Sequence, residues 1–196
     1  TTIWRTYYNV ITKCNLALDV DRDGNGNPFN LDMRSDDYIH NYTRQVAEYH
    51  FCRAFSYFSL IRIFAPPYNH NGENNQKAIP LKDVYNEELG TIEAIYDLII
   101  SDLKYAKENL PDQFTLNSWN NVAGYECGRA NKWVATSLLG KVYFLMGKYA
   151  EAKAEFDAVI DYAEATGTYK LEAPKDPFNK EKAQDVPKES IWEFNS

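Results

Sequence analysis

Apolar residues recur every three to four positions along most of this chain, the signature of helices with one buried face. The pattern is densest over residues 129–161. Trp133, Ser137, Gly140 and Phe144 follow one helical row there, and Val134, Leu138, Lys141 and Leu145 the next. A second stripe follows: Tyr149, Ala152, Phe156, Val159, Ile160 and Ala163. Gly147 stands where a left-handed residue closes a helix, so a hairpin turning at Gly147 and Lys148 is expected. Leu139, Gly140, Tyr143, Gly147, Tyr149, Ala152 and Phe156 fall on the tetratricopeptide helix–turn–helix pattern. Small Gly140 and Ala152 let two helices approach, and large Tyr143 and Phe156 fill the gap. Thr136 and Glu164 depart from the repeat, which prefers Trp and Pro there. One such repeat cannot bury its own face, so stacked neighbours are implied.

The same periodicity predicts three earlier helices. Residues 3–18 carry Ile3, Tyr7, Val10, Ile11, Cys14, Ala17 and Leu18 on one stripe. Residues 36–64 form a long helix, capped by Asp36 or Asp37 and stopped by Pro66-Pro67. Its second half is apolar nearly all round, which places it between other helices. A helix capped by Thr91 runs to about Asn109, with Ile92, Ile95, Tyr96, Ile99, Leu103 and Ala106 on one side. Polar stretches separate these elements at 19–33, 65–90 and 112–128, all read as loops. Tyr169-Lys170-Leu171 reads as a short extended piece, and residues 190–194 alternate like a strand with nothing after it to pair with. The fold class expected is all-α, a tetratricopeptide-like helical repeat of about five helices with long loops. Residues 1–196 are expected to form one domain, and an incomplete one.

Composition narrows the function. The 196 residues carry a net charge of −7, which argues against a nucleic-acid surface. No apolar run reaches the length of a membrane span. Three cysteines, Cys14, Cys52 and Cys127, are widely spaced with no CxxC, which argues against a disulfide framework or a zinc site. Cys14 and Cys52 are expected as small buried apolar residues. The three histidines have no ligand spacing, no phosphate loop is present, and no catalytic residue or cofactor is expected. Asp21, Asp23, Asn25 and Asp32 have the spacing of a calcium loop, with Gly26 at the sixth position. Pro28, and Asp rather than Glu at position twelve, fit that loop poorly, and a solvated polar turn is the competing reading. No metal is assigned. Tyr68 among Asn69, Asn71 and Asn74, and Trp119 among Asn117, Asn120 and Asn121, combine a flat ring with amides. A sugar face stacks on such rings and its hydroxyls bond the amides. Tyr68, Asn71, Trp119 and Asn120 are therefore the candidate ligand-binding residues. The plainer alternative is that each ring folds under its own loop.

Several segments, in order, resemble the SusD/RagB family of surface glycan-binding lipoproteins of Bacteroidetes. Glu48, Phe51, Arg53-Ala54, Tyr57-Phe58, Leu60-Ile61-Arg62 and Phe64 are similar to the family run E-x-x-F-x-R-A-x-x-Y-F-x-L-v-R-x-F. Ile79-Pro80-Leu81 comes before residues 91–103, which resemble T-v-E-e-v-Y-d-l-I-i-x-D-L. Leu110-Pro111 follows. Residues 128–132 resemble G-R-A-T-K, with Asn131 in place of Thr. Val159-Ile160, Gly167, Tyr169 and Leu171 resemble the V-I-x-S-G-x-Y-x-L exit, and residues 189–193 the E-x-I-f-E strand. The resemblance implies a longer, lipid-anchored outer-membrane protein on the cell surface, joined to the membrane through an N-terminal lipid outside this chain. It implies a non-catalytic protein that captures oligosaccharide and delivers it to a SusC-like, TonB-dependent transporter. The other reading is a tetratricopeptide scaffold that binds a protein or peptide in its concave groove, without glycan affinity.

Overall fold

The structure, a computed structural model, describes residues 2–22, 36–114, 128–171 and 189–192, with only the backbone of 20–22 and 36–41. Five helices carry the architecture: α1 (Thr2–Arg22), α2 (Asp36–Phe64), α3 (Ile92–Asn109), α4 (Lys132–Leu145) and α5 (Tyr149–Thr166). Each packs on the next in sequence where the chain runs α1, α2, α3, and α4 then stacks on α3 and α5 on α4. This is the layered order of a helical repeat, in which each element contacts its neighbours. The all-round apolar half of α2 lies between α1 and α3, as its pattern requires. Phe51, Ala54, Tyr57, Phe58, Leu60 and Ile61 are all buried there.

The hairpin at 132–166 forms as its spacing predicts. Gly147 takes φ 74° and Gly167 closes α5 at φ 66°, both left-handed. A Cβ on Gly140 would sit 2.7 Å from the Phe156 ring, so only glycine lets α5 approach this closely. Thr91 caps α3, its hydroxyl accepting from the Ala94 N–H at 3.1 Å. Asn131 caps α4, its amide oxygen accepting from the N–H groups of Trp133 and Val134.

Five expectations need correction. Residues 77–91 are not loop but an antiparallel ribbon, β1 (Lys77–Lys82) and β2 (Glu87–Thr91), with Pro80 opposite Leu89 and Leu81 opposite Glu88. Two strands alone are marginal in water; this pair is held by helix side chains. Tyr8 Oη donates to Pro80 O at 2.8 Å, Asn15 Nδ2 to Lys82 O at 2.7 Å, and the Lys82 N–H to Tyr57 Oη at 2.9 Å. Ile79 is fully buried beneath it. Second, the buried row of α1 is Tyr8, Ile11, Cys14, Asn15 and Leu18, with Trp4 packed beside it, while Ile3 is exposed. Third, Cys52 is exposed, because Phe51 takes the inward position and the next residue rotates outward. Fourth, α5 buries only Ala152 and Val159, so Tyr149 and Ile160 on its apolar stripe stand open. Fifth, residues 169–171 and 190–192 contain no strand among the described residues.

Candidate functional site

The loop at residues 65–76 carries two of the four candidate residues. Asn74 is buried and organises it. Its Oδ1 accepts from the Asn69 N–H at 2.8 Å, and its Nδ2 donates to Asn69 O and Gly72 O. The Glu93 N–H donates to Asn74 O, and a His70 ring nitrogen lies 2.8 Å from Leu145 O. The loop is thus fastened to the start of α3 and the end of α4. Tyr68 is half-buried, its ring edge-on to Tyr96 at 5.0 Å, and burial pushes its phenol pKa up. Asn71 is exposed, with its backbone N–H donating to Asn69 Oδ1 at 3.1 Å. Tyr68 and Asn71 therefore share one rigid loop. Trp119 and Asn120 lie outside the described residues, as do Asp23, Asn25, Asp32 and the Asp21 side chain.

A polar cleft of about 400 Å³ opens elsewhere, between the end of α1, the middle of α2 and the turn at 83–86. Behind two of its lining residues, His50 and Arg53, lies Asp102, 1% exposed. Arg53 Nε donates to Asp102 Oδ2 at 2.7 Å, and Arg53 Nη2 to Oδ1 at 2.8 Å. Arg53 Nη1 donates to Asn15 Oδ1 at 2.9 Å. His50 Nδ1 lies 2.6 Å from Asp102 Oδ1. A carboxylate oxygen only accepts, so Nδ1 carries the proton there and Nε2 is left facing away from Asp102. At the mouth, Tyr85 is 75% exposed and donates its phenol proton to Asp19 Oδ2 at 3.0 Å. Asp83 Oδ1 accepts from the N–H groups of Tyr85 and Asn86, which fixes the turn.

A second concavity, apolar and about 450 Å³, lies between α2 and α4. The chain's own residues 189–192 line it. Trp192 sits edge-on to Phe51 at 5.3 Å and to Phe55 at 5.2 Å. Nearby, Glu48 Oε1 accepts from Arg44 Nη1 at 2.8 Å and Arg129 Nη2 at 2.6 Å. That pair locks the segment before α4 onto α2. Among the described residues, no set of three His, Cys, Asp or Glu is placed to hold a metal. No helix there is long and apolar enough to cross a membrane.

The sequence motifs thus meet one another in space. Glu48 and Arg53 of the α2 run meet Arg129 of the G-R-A segment and Asp102 of the α3 run. Asn131 Nδ2 donates to the Tyr169 phenol at 2.9 Å. The Asp102 cluster and Tyr85 are not identifiable as a cleft in the linear sequence, because their residues are separated by up to about 85 positions in the chain.

A family model described as starch-binding and associating with the outer membrane matches residues 1–144. A SusD-like protein of Bacteroides ovatus is 29% identical over 143 residues, covering 71% of this chain and 21% of that protein. A SusD superfamily structure from Bacteroides thetaiotaomicron superposes with a TM-score of 0.74 at 25% identity, covering 97% of this chain and 38% of the other. A structure solved with a xylogluco-oligosaccharide superposes at 0.60 with 22% identity, covering 97% and 34%. The chain thus spans about a fifth of the curated relative and under two-fifths of the solved ones. With the model matched across α1 to α4 and the helix order shared, the chain belongs to the SusD-like family of outer-membrane-associated, carbohydrate-binding proteins.

Proposed function

We propose that residues 1–196 are the helical-repeat portion of a cell-surface protein that captures oligosaccharide without chemistry and passes it to a TonB-dependent transporter. The single observation that carries this is the starch-binding, outer-membrane family model matched over residues 1–144. The relative solved with a xylogluco-oligosaccharide supports the ligand class. Attachment through an N-terminal lipid and partnership with a SusC-like barrel belong to the same proposal. Tyr68 and Asn71 on their fastened loop, with Trp119 and Asn120, are the proposed contacts in this half of the protein. The peptide-scaffold reading is weakened by one feature. The concavity between α2 and α4 is walled in part by Ile191 and Trp192 of the chain itself.

The test is calorimetric titration of the full-length protein with maltoheptaose, laminarihexaose and a xyloglucan heptasaccharide, for the wild type and for Trp119→Ala and Tyr68→Ala. Binding that Trp119→Ala abolishes in a folded protein is the expected result. Co-purification with a barrel protein, and no affinity for any sugar, would overturn glycan capture.

A further inference from the structure

We propose that Asn71 is a site of spontaneous deamidation, at which the loop over residues 65–76 exchanges a neutral amide for a carboxylate. The chemistry is independent of glycan capture. Among the described residues Asn71 is the only asparagine followed by glycine, and the chain's other Asn-Gly pair, Asn25-Gly26, lies outside them. Both Asn71 and Gly72 are exposed. Deamidation needs a side-chain amide free to turn, a following backbone nitrogen free to attack it, and no Cβ in the way.

The loop meets all three conditions. Asn71 is engaged through its backbone N–H, which donates to Asn69 Oδ1 at 3.1 Å, while its side chain makes no hydrogen bond among the described residues. The Gly72 N–H has no acceptor among them either. An amide held in no hydrogen bond gives up its proton to base more readily than a bonded one. Glycine leaves that nitrogen open, and the loop as built requires it: a Cβ on Gly72 would sit 2.5 Å from Asn69 Nδ2. The neighbouring asparagines differ. Asn74 is buried with both ends of its amide bonded, and Asn75 donates to Glu73 at 2.6 Å. Asn69, Asn74 and Asn75 are each followed by a residue with a Cβ.

The Gly72 nitrogen, once deprotonated, attacks Asn71 Cγ. A bond from that nitrogen to Cγ forms, the bond from Cγ to Nδ2 breaks, and Nδ2 leaves as ammonia. The product is a five-membered succinimide ring. Water then opens the ring at either carbonyl and gives aspartate or isoaspartate. One water enters and one ammonia leaves, with no change of oxidation state. Either product adds a negative charge to a chain that already carries −7. Isoaspartate also inserts a methylene into the main chain just before Gly72, whose carbonyl accepts from Asn74 Nδ2 at 3.3 Å. The loop that carries Tyr68 thus changes charge with age and, in one of the two products, shape.

The experiment incubates the folded full-length protein at 37 °C and mildly alkaline pH, then follows its tryptic peptide 63–77 by mass spectrometry with fragmentation. Incubation continues until the same peptide has fully reacted in a urea-unfolded sample. A gain of about 1 Da at Asn71 is expected in the folded protein, as the amide NH₂ gives way to OH. It should appear as two chromatographically separable forms and faster at higher pH, because base frees the attacking nitrogen. Asn69, Asn74 and Asn75 of the same peptide should keep their mass, and Asn71→Gln, with unchanged circular dichroism, should keep the whole peptide unmodified. An intact Asn71 in the folded protein at that time would overturn the proposal. So would an equal gain at Asn69, Asn74 or Asn75, since the reaction would then owe nothing to Gly72 or to the free side chain.

Discussion

Replacing Asp102 with Ala tests whether the buried cluster under the cleft holds α2 to α3. The substitution removes both acceptors of Arg53 on that side, at 2.7 and 2.8 Å, and the partner of His50 at 2.6 Å. Deleting one member of a buried ion pair costs about 3–5 kcal/mol, because the other charge is left uncompensated. Arg53 and His50 side chains are 17% and 20% exposed, so water can take up part of what is lost. The low end, about 3 kcal/mol, is therefore expected. For a chain of this size, each kcal/mol moves Tm by about 2–4 °C, which gives a fall of about 6–12 °C. The assay is thermal and urea unfolding of the 196-residue chain, followed by circular dichroism at 222 nm. A double variant, Arg53→Met with Asp102→Leu, replaces both charges by apolar groups and should recover much of the loss. A loss below about 1 kcal/mol for Asp102→Ala would refute the reasoning, as would a double variant whose loss equals the sum of the singles.

Asn131→Ala should destabilise by about 1 kcal/mol, the usual value of an N-cap, and Asn131→Thr should recover most of it because its hydroxyl can accept the same N–H groups; urea midpoints of the three proteins check this. Stability should also fall at high pH. Burial raises the Tyr57 phenol and the Cys14 thiol to about 12, and raises Tyr8 further still. The unfolded chain then releases these protons at lower pH than the folded chain does. The stability these groups contribute is fully present below the unfolded values, about 9 for the thiol and about 10 for the phenols, and is lost as pH rises from there towards 12. Tyrosinate absorbance at 295 nm, followed alongside circular dichroism, should show these phenols ionising only as the helices melt. Ionisation of every tyrosine near pH 10 in an intact fold would contradict it.

The motifs that identify the family are mostly structural fasteners. Glu48 reaches Arg129 from α2, and Arg53 reaches Asp102 on α3. Asn131 both caps α4 and holds Tyr169. These residues set the spacing of the helical layers, on which the loops and the cleft then sit. Residues of the ligand-contacting kind fall instead on the intervening segments, which is where a rigid scaffold usually carries its binding groups.

The helices were legible in the linear pattern, because each is long enough to show its period and carries its own boundary signals: Pro66-Pro67 after α2, Thr91 before α3, Gly147 between α4 and α5. The tight approach of α4 and α5 was legible too, since Gly140 and Phe156 are complementary in size. The ribbon at 77–91 is a product of packing. Lys77–Lys82 has weak strand character and a central proline, and it becomes a strand because Tyr8, Asn15 and Tyr57 on two helices bond its carbonyls and amide. The outward turn of Cys52 was likewise decided by packing, since neighbouring helical positions differ by about 100°. So was the cleft. Asn15, His50, Arg53, Asp83 and Tyr85 come from three separate segments, and Asp102 beneath them from a fourth, and no local pattern relates them. They converge because α1, α2, α3 and the ribbon stack as layers, and a buried carboxylate requires a guanidinium within reach wherever the chain can supply one.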